Sequence, residues 1–142
     1  MLRSDKMADV LVKAAIDILP MAYAPYSQFQ VGAAIQDEKG HIHLGVNVEN
    51  AAYPVGSCAE AGAMGAMIAA GGKQITRIAV AGRGAELCTP CGGCRQRLRE
   101  FAAPDMEILV CDDKGLRKIF TLGTLLPHSF GPDNLDPVIL TR

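Results

Sequence analysis

The sequence has neither an excess of one charge nor a long apolar run, and both absences narrow its function. Its 142 residues carry 14 basic and 15 acidic side chains, for a net charge of −1. This balance argues against a nucleic-acid partner, because such binding needs a surplus of positive charge. No stretch approaches the roughly 18 apolar residues of a membrane span, so we expect no membrane partner. Residues 1–6 include an acid and lack the apolar core of a secretory signal.

Together these absences predict a cytoplasmic protein. Its length fits one domain, residues 1–142. The five cysteines are an odd number, which argues against a disulfide framework in a reducing compartment. Cys91 and Cys94 are three positions apart, and Cys58 precedes them on another segment. In a cytoplasmic protein such spacing indicates metal ligands more often than disulfides.

Hydrophobic periodicity and turn residues predict alternating helices and strands. The predicted helices cover 5–19, 58–70 and 90–101, the strands cover 29–35, 42–48, 75–81, 106–111 and 117–121, and a helical turn covers 122–126. This order favours an α/β fold, a three-layer α/β/α sandwich with a mixed five-stranded sheet.

The second predicted helix lacks a polar face. From Ala59 to Ala70 its only polar side chain is Glu60. A helix that is apolar on every side must be covered on every side. It is either a central core helix in a monomer or, as we prefer, a helix packed at a subunit interface.

Three cysteines stand where two of the predicted helices begin. The free N–H groups and positive dipole end of a helix N-terminus favour the thiolate, and Pro90 fits such a start. Cys91 and Cys94 emerge on one face of the first turn, and Cys58 would complete three ligands. Three ligands with one open position are typical of a catalytic zinc, whereas structural zinc sites are closed by four. Cys88 could in principle be a ligand, but we expect it to be packed.

Glu60 lies two residues after Cys58 on an otherwise apolar helix. It is either an acid at the favourable end of the helix dipole or a general acid/base beside the metal. Cys-x-Glu followed by Pro-Cys-x-x-Cys is the pattern of zinc deaminases. Cys111 is expected in the core, and all three histidines, His41, His43 and His128, are expected at the surface.

Nearly the whole chain resembles the small, homotetrameric cytidine deaminases whose zinc is held by cysteines. The resemblance runs from residues 24–34 (APYSQFQVGAA) through 47–51 (NVENA), 58–60 (CAE) and 90–96 (PCGGCRQ) to 126–130 (LPHSF). It implies one zinc ion per chain and shared active sites in a homotetramer. The implied roles are zinc ligation by Cys58, Cys91 and Cys94, proton transfer by Glu60, ribose binding by Asn47 and Glu49, base binding by Phe29, and a reach into a neighbouring subunit's site by Phe130.

The activity implied by this resemblance is hydrolytic deamination of cytidine and 2′-deoxycytidine to the uridines, with release of ammonia. The alternatives are a blasticidin-type nucleoside deaminase, a polynucleotide-editing deaminase, or a non-catalytic structural zinc module. Free nucleosides are favoured, because a phosphate beside Glu49 would be repelled. In one respect the chain departs from many family members, which carry Arg where this chain has Ala61. We expect the helix N-termini, Arg95 or another basic residue to compensate the thiolate charge.

Overall fold

The computed structural model describes residues 5–135 and contains every predicted element. The elements are α1 (Lys6–Ile18), β1 (Val31–Asp37), β2 (Ile42–Val46), α2 (Ala59–Ala69), β3 (Ile75–Gly82), α3 (Gly92–Phe101), β4 (Glu107–Asp112), β5 (Gly115–Thr121) and α4 (Leu122–Leu125). Most bounds differ from the predicted ones by one or two residues. Within residues 5–135, none of the helices combines the length and apolar character needed to cross a bilayer.

The five strands form one sheet in the order β2-β1-β3-β4-β5. The β3–β4 pair is parallel, and the pairs β1–β2, β1–β3 and β4–β5 are antiparallel. The predicted mixed five-stranded sheet is therefore confirmed.

Side chains alternate between the two faces of the sheet, as the strand period of two requires. In β3, Ile78 and Val80 join the apolar core beneath α2 and α3, whereas Ala79 and Ala81 join the core beneath α1. Helices cover both faces of the sheet, which confirms the three-layer α/β/α sandwich.

Two glycines let helices approach the sheet closely. A Cβ atom on Gly45 in β2 would lie 2.2 Å from the Ala59 carbonyl oxygen of α2, and a Cβ on Gly32 in β1 would lie 2.3 Å from the Ala15 carbonyl oxygen of α1. Both distances are far inside van der Waals contact. The absence of a side chain at Gly45 therefore sets how deeply α2, which begins at the candidate metal site, packs on the sheet.

The prediction that the histidines face solvent is right for His41 and His128 but wrong for His43. The His43 side chain is only 9% exposed, and its Nε2 lies 2.8 Å from Oδ2 of the buried Asp37. Asp37 Oδ1 also accepts backbone hydrogen bonds from Lys39 and His41, at 2.8 and 3.0 Å. The β1–β2 turn thus folds around one carboxylate, which draws His43 inward in a way that strand alternation does not reveal.

Candidate active site

The three cysteines predicted to be metal ligands lie together. The Sγ atoms of Cys58, Cys91 and Cys94 are all within 4.8 Å of one another, and those of Cys58 and Cys91 are 3.9 Å apart. Sulfurs of a tetrahedral zinc site with Zn–S bonds of about 2.3 Å lie roughly 3.8 Å apart. Donor type and spacing therefore fit zinc.

Each cysteine is placed by the start of a helix. Cys58 is the N-cap of α2 and Cys91 the N-cap of α3, and neither sulfur makes a capping hydrogen bond. Cys94 lies in the first turn of α3 and is fully buried. Both helix N-termini direct the positive ends of their dipoles at the cluster, which favours anionic sulfur.

The electrostatics of the cluster favour a bound cation. Burial raises the pKa of the Cys94 thiol, and the negative charges of Glu60, Cys58 and Cys91 raise it further. Burial likewise raises the pKa of Cys58. For Cys91, burial is outweighed by hydrogen bonds from Cys94 and Cys58, and its pKa is lowered. Anionic groups that repel one another this closely are stabilised together by a divalent ion.

Glu60 is buried beside the sulfurs, with 4% of its surface exposed. Burial raises the pKa of its carboxyl group, while the hydrogen bond of its own backbone N–H, the Cys94 thiol and the positive charge of Arg97 oppose the shift. A carboxyl group with a raised pKa next to a metal site is suited to accept and return a proton near neutral pH.

Arg95, one of the residues expected to compensate the thiolate charge, makes its hydrogen bonds to oxygen atoms. Its guanidinium donates to the carbonyl oxygens of Pro90 and Leu125, at 2.7 and 3.0 Å, and to Thr89 Oγ1 at 3.3 Å. These bonds fix the loop before Cys91 against the end of α4. Arg97, one half-turn further along α3, is the arginine whose charge acts on Glu60.

The remaining cysteines lie apart from this cluster. Cys88 packs against the core, and burial raises its pKa to about 11. Cys111 is buried in the core beneath α1, and burial raises its pKa to about 12. A Cβ on Gly82 would meet Cys88 Sγ at 2.7 Å and the Phe29 ring at 3.3 Å. The absence of a side chain at Gly82 therefore leaves room for both Cys88 and the Phe29 ring.

Asn47 lies just beyond the end of β2 and binds the segment that carries Phe29. Its Nδ2 donates to the Phe29 carbonyl oxygen at 2.9 Å, and its Oδ1 accepts from the Val31 N–H at 2.9 Å. The amide thus replaces a strand partner for residues 29–31. One Nδ2 hydrogen is left without a described partner.

Glu49 binds the preceding turn in a similar way. Its Oε1 accepts the backbone N–H groups of Tyr26 and Ser27, at 2.9 and 3.1 Å, and its Oε2 accepts the Ser27 hydroxyl. The Ser27 hydroxyl and backbone lower the pKa of Glu49, with a further contribution from Tyr26. The ionised carboxylate retains acceptor capacity for one more donor.

A backbone bridge joins this pair to the metal cluster. Val48, between Asn47 and Glu49, exchanges two hydrogen bonds of 2.9 Å with Ser57, the residue before Cys58. The metal side and the Asn47–Glu49 side of the site are therefore held in a fixed relation.

A cavity of about 370 Å³ opens beside Glu49, and its lining includes Tyr26, Ser27, Asn50 and Tyr53. Tyr26 and Tyr53 form an edge-to-face pair with ring centroids 6.0 Å apart. Sequence reasoning did not identify these tyrosines or Ser27. The sequence feature that could have indicated this part of the cavity is Tyr26, the aromatic residue directly after Pro25.

Phe130 lies outside this cavity, with 59% of its surface exposed. Its carbonyl oxygen accepts a hydrogen bond of 2.8 Å from Gln96 of α3, and the neighbouring Ser129 accepts one of 3.0 Å from Arg99. The segment is thus held along α3 while its aromatic ring remains uncovered.

Comparisons with known proteins identify the family of this chain. A family model described as "Cytidine and deoxycytidylate deaminase zinc-binding region" matches residues 5–110. The chain belongs to this family. A cytidine deaminase of Halalkalibacterium halodurans is 35% identical over 127 residues, which cover 89% of this chain and 96% of that protein. One from Mycobacterium tuberculosis is 39% identical over 114 residues, covering 80% of this chain and 82% of that protein.

Solved structures of this deaminase family share the fold. The crystal structure of cytidine deaminase from Burkholderia pseudomallei aligns with a TM-score of 0.80 at 39% identity, covering 85% of this chain and 97% of that one. The Mycobacterium tuberculosis structure aligns with a TM-score of 0.75 at 34% identity, covering 86% and 95%. Within a zinc-binding family, the cysteine cluster supplies the donors that the metal requires.

Proposed function

We propose that this protein deaminates cytidine and 2′-deoxycytidine hydrolytically, giving uridine and 2′-deoxyuridine and releasing ammonia. The observation that carries the proposal is the three-sulfur cluster with the buried Glu60 beside it, in a chain of the zinc-binding deaminase family. A structural zinc module is not favoured, because three thiolates leave one coordination position open. The single domain and the cytoplasmic location expected from the sequence are part of this proposal.

Cys58, Cys91 and Cys94 would hold the zinc ion, which when bound supplies a Lewis acid that lowers the pKa of water. Glu60 accepts a proton from the attacking water molecule as the water oxygen bonds to C4 of the base. The same carboxyl group gives that proton to N3, and then takes a second proton from the new C4 hydroxyl group and passes it to the departing amine. The C4–N4 bond breaks as the C4=O bond forms, and ammonia leaves.

The polar groups left over on Asn47 and Glu49 complement a sugar hydroxyl. Asn47 has one N–H to donate, and Glu49 has room for one more hydrogen bond as acceptor. A hydroxyl group can accept the first and donate the second. The negative charge of Glu49 disfavours a phosphate beside it, which supports a nucleoside rather than a nucleotide as substrate. Phe29 would contact the base.

A homotetramer with shared active sites is part of the same proposal. The outward face of α2, including Gly65, Ala66 and Ile68, is apolar yet exposed in the single chain. It borders a groove of about 600 Å³ between α2 and α3. The uncovered Phe130 ring would reach a neighbouring subunit's site. A second copy of the chain would cover both surfaces.

The direct test is the fall in the long-wavelength absorbance of cytidine when the protein is added. We expect a decrease that a zinc chelator abolishes and that added zinc restores. Ammonia should appear in equal amount. Cytidine left unchanged by zinc-loaded protein would contradict the proposed function.

Replacing Glu60 with Gln should separate proton transfer from metal binding. The amide has nearly the same size but cannot accept the proton, so kcat should fall by roughly 10²-fold or more. Zinc content and melting temperature should stay close to those of the wild type. Asp17→Asn, which changes an exposed carboxylate on α1, is the control and should leave kcat unchanged. A Glu60→Gln enzyme with wild-type turnover would rule out this mechanism.

A further inference from the structure

The turn formed by residues 25–29 holds one residue in an unfavourable backbone conformation. Gln28 has φ 60°, and it is the one non-glycine residue with positive φ among residues 5–135. For a residue with a side chain this left-handed conformation is unfavourable. Such a turn persists because surrounding contacts determine it, and here Gln28 donates from its backbone to Ala24 and from its side chain to Pro25, at 3.0 and 2.9 Å.

Both backbone polar groups of the next residue, Phe29, are bound by side chains. Its N–H donates to Ser27 Oγ at 3.0 Å, and its carbonyl oxygen accepts from Asn47 Nδ2 at 2.9 Å. The position of the aromatic ring proposed to contact the base is therefore set by two polar side chains rather than by a strand ladder.

The Ser27 hydroxyl connects Phe29 to Glu49. A hydroxyl group has a single hydrogen to donate, and the ionised Glu49 carboxylate can only accept. The hydrogen is therefore directed at Glu49 Oε2, and the oxygen accepts from Phe29. The result is a chain from the Phe29 N–H through the Ser27 hydroxyl to the Glu49 carboxylate. Its second bond is charge-assisted and so the stronger of the two.

We propose that Ser27 is a positioning residue that couples the sugar side of the nucleoside site to the base side. A sugar hydroxyl bound to Glu49 fixes the carboxylate, the carboxylate fixes the Ser27 hydroxyl, and the hydroxyl fixes the backbone of Phe29. This inference rests on the proposed function, because it assigns Glu49 to the sugar and Phe29 to the base. The inference adds that the contact of Glu49 with the sugar and the contact of Phe29 with the base are not independent.

The test compares cytidine with 2′,3′-dideoxycytidine, which lacks the 2′- and 3′-hydroxyl groups of the sugar, in wild-type protein and in Ser27→Ala. We expect KM for cytidine to rise roughly tenfold, as the loss of a charge-assisted hydrogen bond implies. KM for the dideoxynucleoside should rise by only about threefold, because its sugar does not engage the coupled carboxylate. Since Ser27 does not touch the reacting atoms, kcat for cytidine should change less than about threefold.

Two further variants separate coupling from a general loosening of the turn. Ser27→Thr retains a hydroxyl group and should recover most of the cytidine affinity. Thr76→Ala removes an exposed hydroxyl from β3, where it donates to the Gln36 carbonyl oxygen at 3.1 Å, and should leave both KM values unchanged. Calorimetric binding of cytidine to each variant combined with Glu60→Gln, which blocks turnover, gives the same comparison at equilibrium.

Several results would overturn the inference, and they can be told apart. An equal rise in KM for both nucleosides would make Ser27 a structural residue of the turn only, and no rise would remove it from the site. Glu49→Gln with an unchanged KM for cytidine would remove the sugar contact on which the coupling depends. Wild-type protein that neither binds nor deaminates cytidine would overturn the proposed function together with this inference.

Discussion

Sulfur position decides which of the five cysteines can bind a metal ion. The sulfurs of Cys58, Cys91 and Cys94 converge at the starts of two helices, whereas Cys88 and Cys111 pack against the apolar cores. A zinc ion needs several donors around one point, and only the converging sulfurs provide them. Chemical reactivity in this chain therefore follows from local structure rather than from residue type.

This difference predicts the outcome of a cysteine-to-alanine series. Elemental analysis of wild-type protein should find one zinc ion per chain. Alanine at Cys58, Cys91 or Cys94 should each abolish stoichiometric zinc, because two thiolates do not hold the ion tightly. Alanine at Cys88 or Cys111 should leave the zinc content unchanged. Zinc lost from Cys88→Ala but retained in Cys94→Ala would refute the ligand set.

Asp37 predicts a specific loss of stability in acid. The hydrogen bond from His43, with the N–H groups of His41 and Lys39, lowers its pKa from 3.8 to about 2. Because the folded-state pKa is the lower one, the ionised carboxylate stabilises the fold above about pH 4, and this contribution disappears as the pH falls towards 2. Asp37→Asn should therefore lower the melting temperature at pH 6 and have little effect near pH 2.

The control for this experiment is Asp17→Asn, which alters an exposed carboxylate paired with Lys13 on α1. Its melting temperature should follow that of the wild type at every pH. If Asp37→Asn destabilises the protein equally at pH 6 and pH 2, the carboxylate charge is not the cause.

At the level of single residues, the sequence predicts the cysteines of the metal cluster but not all of the residues that line the neighbouring cavity. The cysteines could be found because helix starts leave local signals, such as Pro90 before Cys91. Tyr53 lies in the loop closed by the pairing of Val48 with Ser57, and Ser27 is held at the cavity by its hydrogen bonds to Glu49. No local sequence pattern encodes either contact. His43 was missed for the same kind of reason, since its partner lies across a turn.

Among the elements, the contact between α2 and β2 depends on one missing side chain. A methyl group on Gly45 would overlap the backbone of α2 at 2.2 Å, whereas one on the facing Gly62 would find its nearest neighbour at 3.6 Å. Gly45→Ala should therefore lower the free energy of unfolding by about 3 kcal/mol. It should also reduce zinc content, because α2 carries Cys58 at its start.

Gly62→Ala is the matched control, since it adds the same methyl group to the opposite side of the same contact. It should leave stability unchanged or raise it by up to about 1 kcal/mol, because Ala favours the helix over Gly. Urea unfolding of both variants measures the difference. Equal stability of the two would mean that Gly45 does not limit this packing.

Strand bounds were the least predictable feature of the elements, and Phe29 and Asn47 show why. The sequence pattern predicts that the first strand begins at Phe29, but the backbone of Phe29 binds the side chains of Ser27 and Asn47, and β1 begins at Val31. The sequence pattern predicts a second strand that reaches Val48, yet β2 ends at Val46, and Val48 pairs with Tyr23 and Ser57 instead. In both cases the residues proposed to bind the substrate exchange regular pairing for side-chain contacts.

For the whole molecule, the exposed apolar face of α2 predicts an assembly. If copies of the chain cover it, Ala66→Arg buries a charge without a partner, which costs several kcal/mol, and the assembly should dissociate. Light scattering should then show a tetramer for the wild type and smaller species for the variant. Deamination should fall in parallel, because each site loses the Phe130 of a neighbour.

Ala85→Arg provides the control, since it makes the same change at an exposed position in the loop after β3. This variant should keep both the assembly and the activity of the wild type. A fully active monomeric wild type would refute the interface and the shared site together.

Neither apolar core includes a cysteine of the metal cluster, and this bears on whether the chain folds before or after it binds zinc. Both cores are built from helices and strands without the three sulfurs. In small zinc modules, by contrast, metal binding itself drives folding. We therefore expect the chain to fold without the ion and to acquire it afterwards on a site already shaped by two helix starts. Scarcity of zinc would then leave a pool of folded but inactive protein, ready for activation as soon as the ion is supplied.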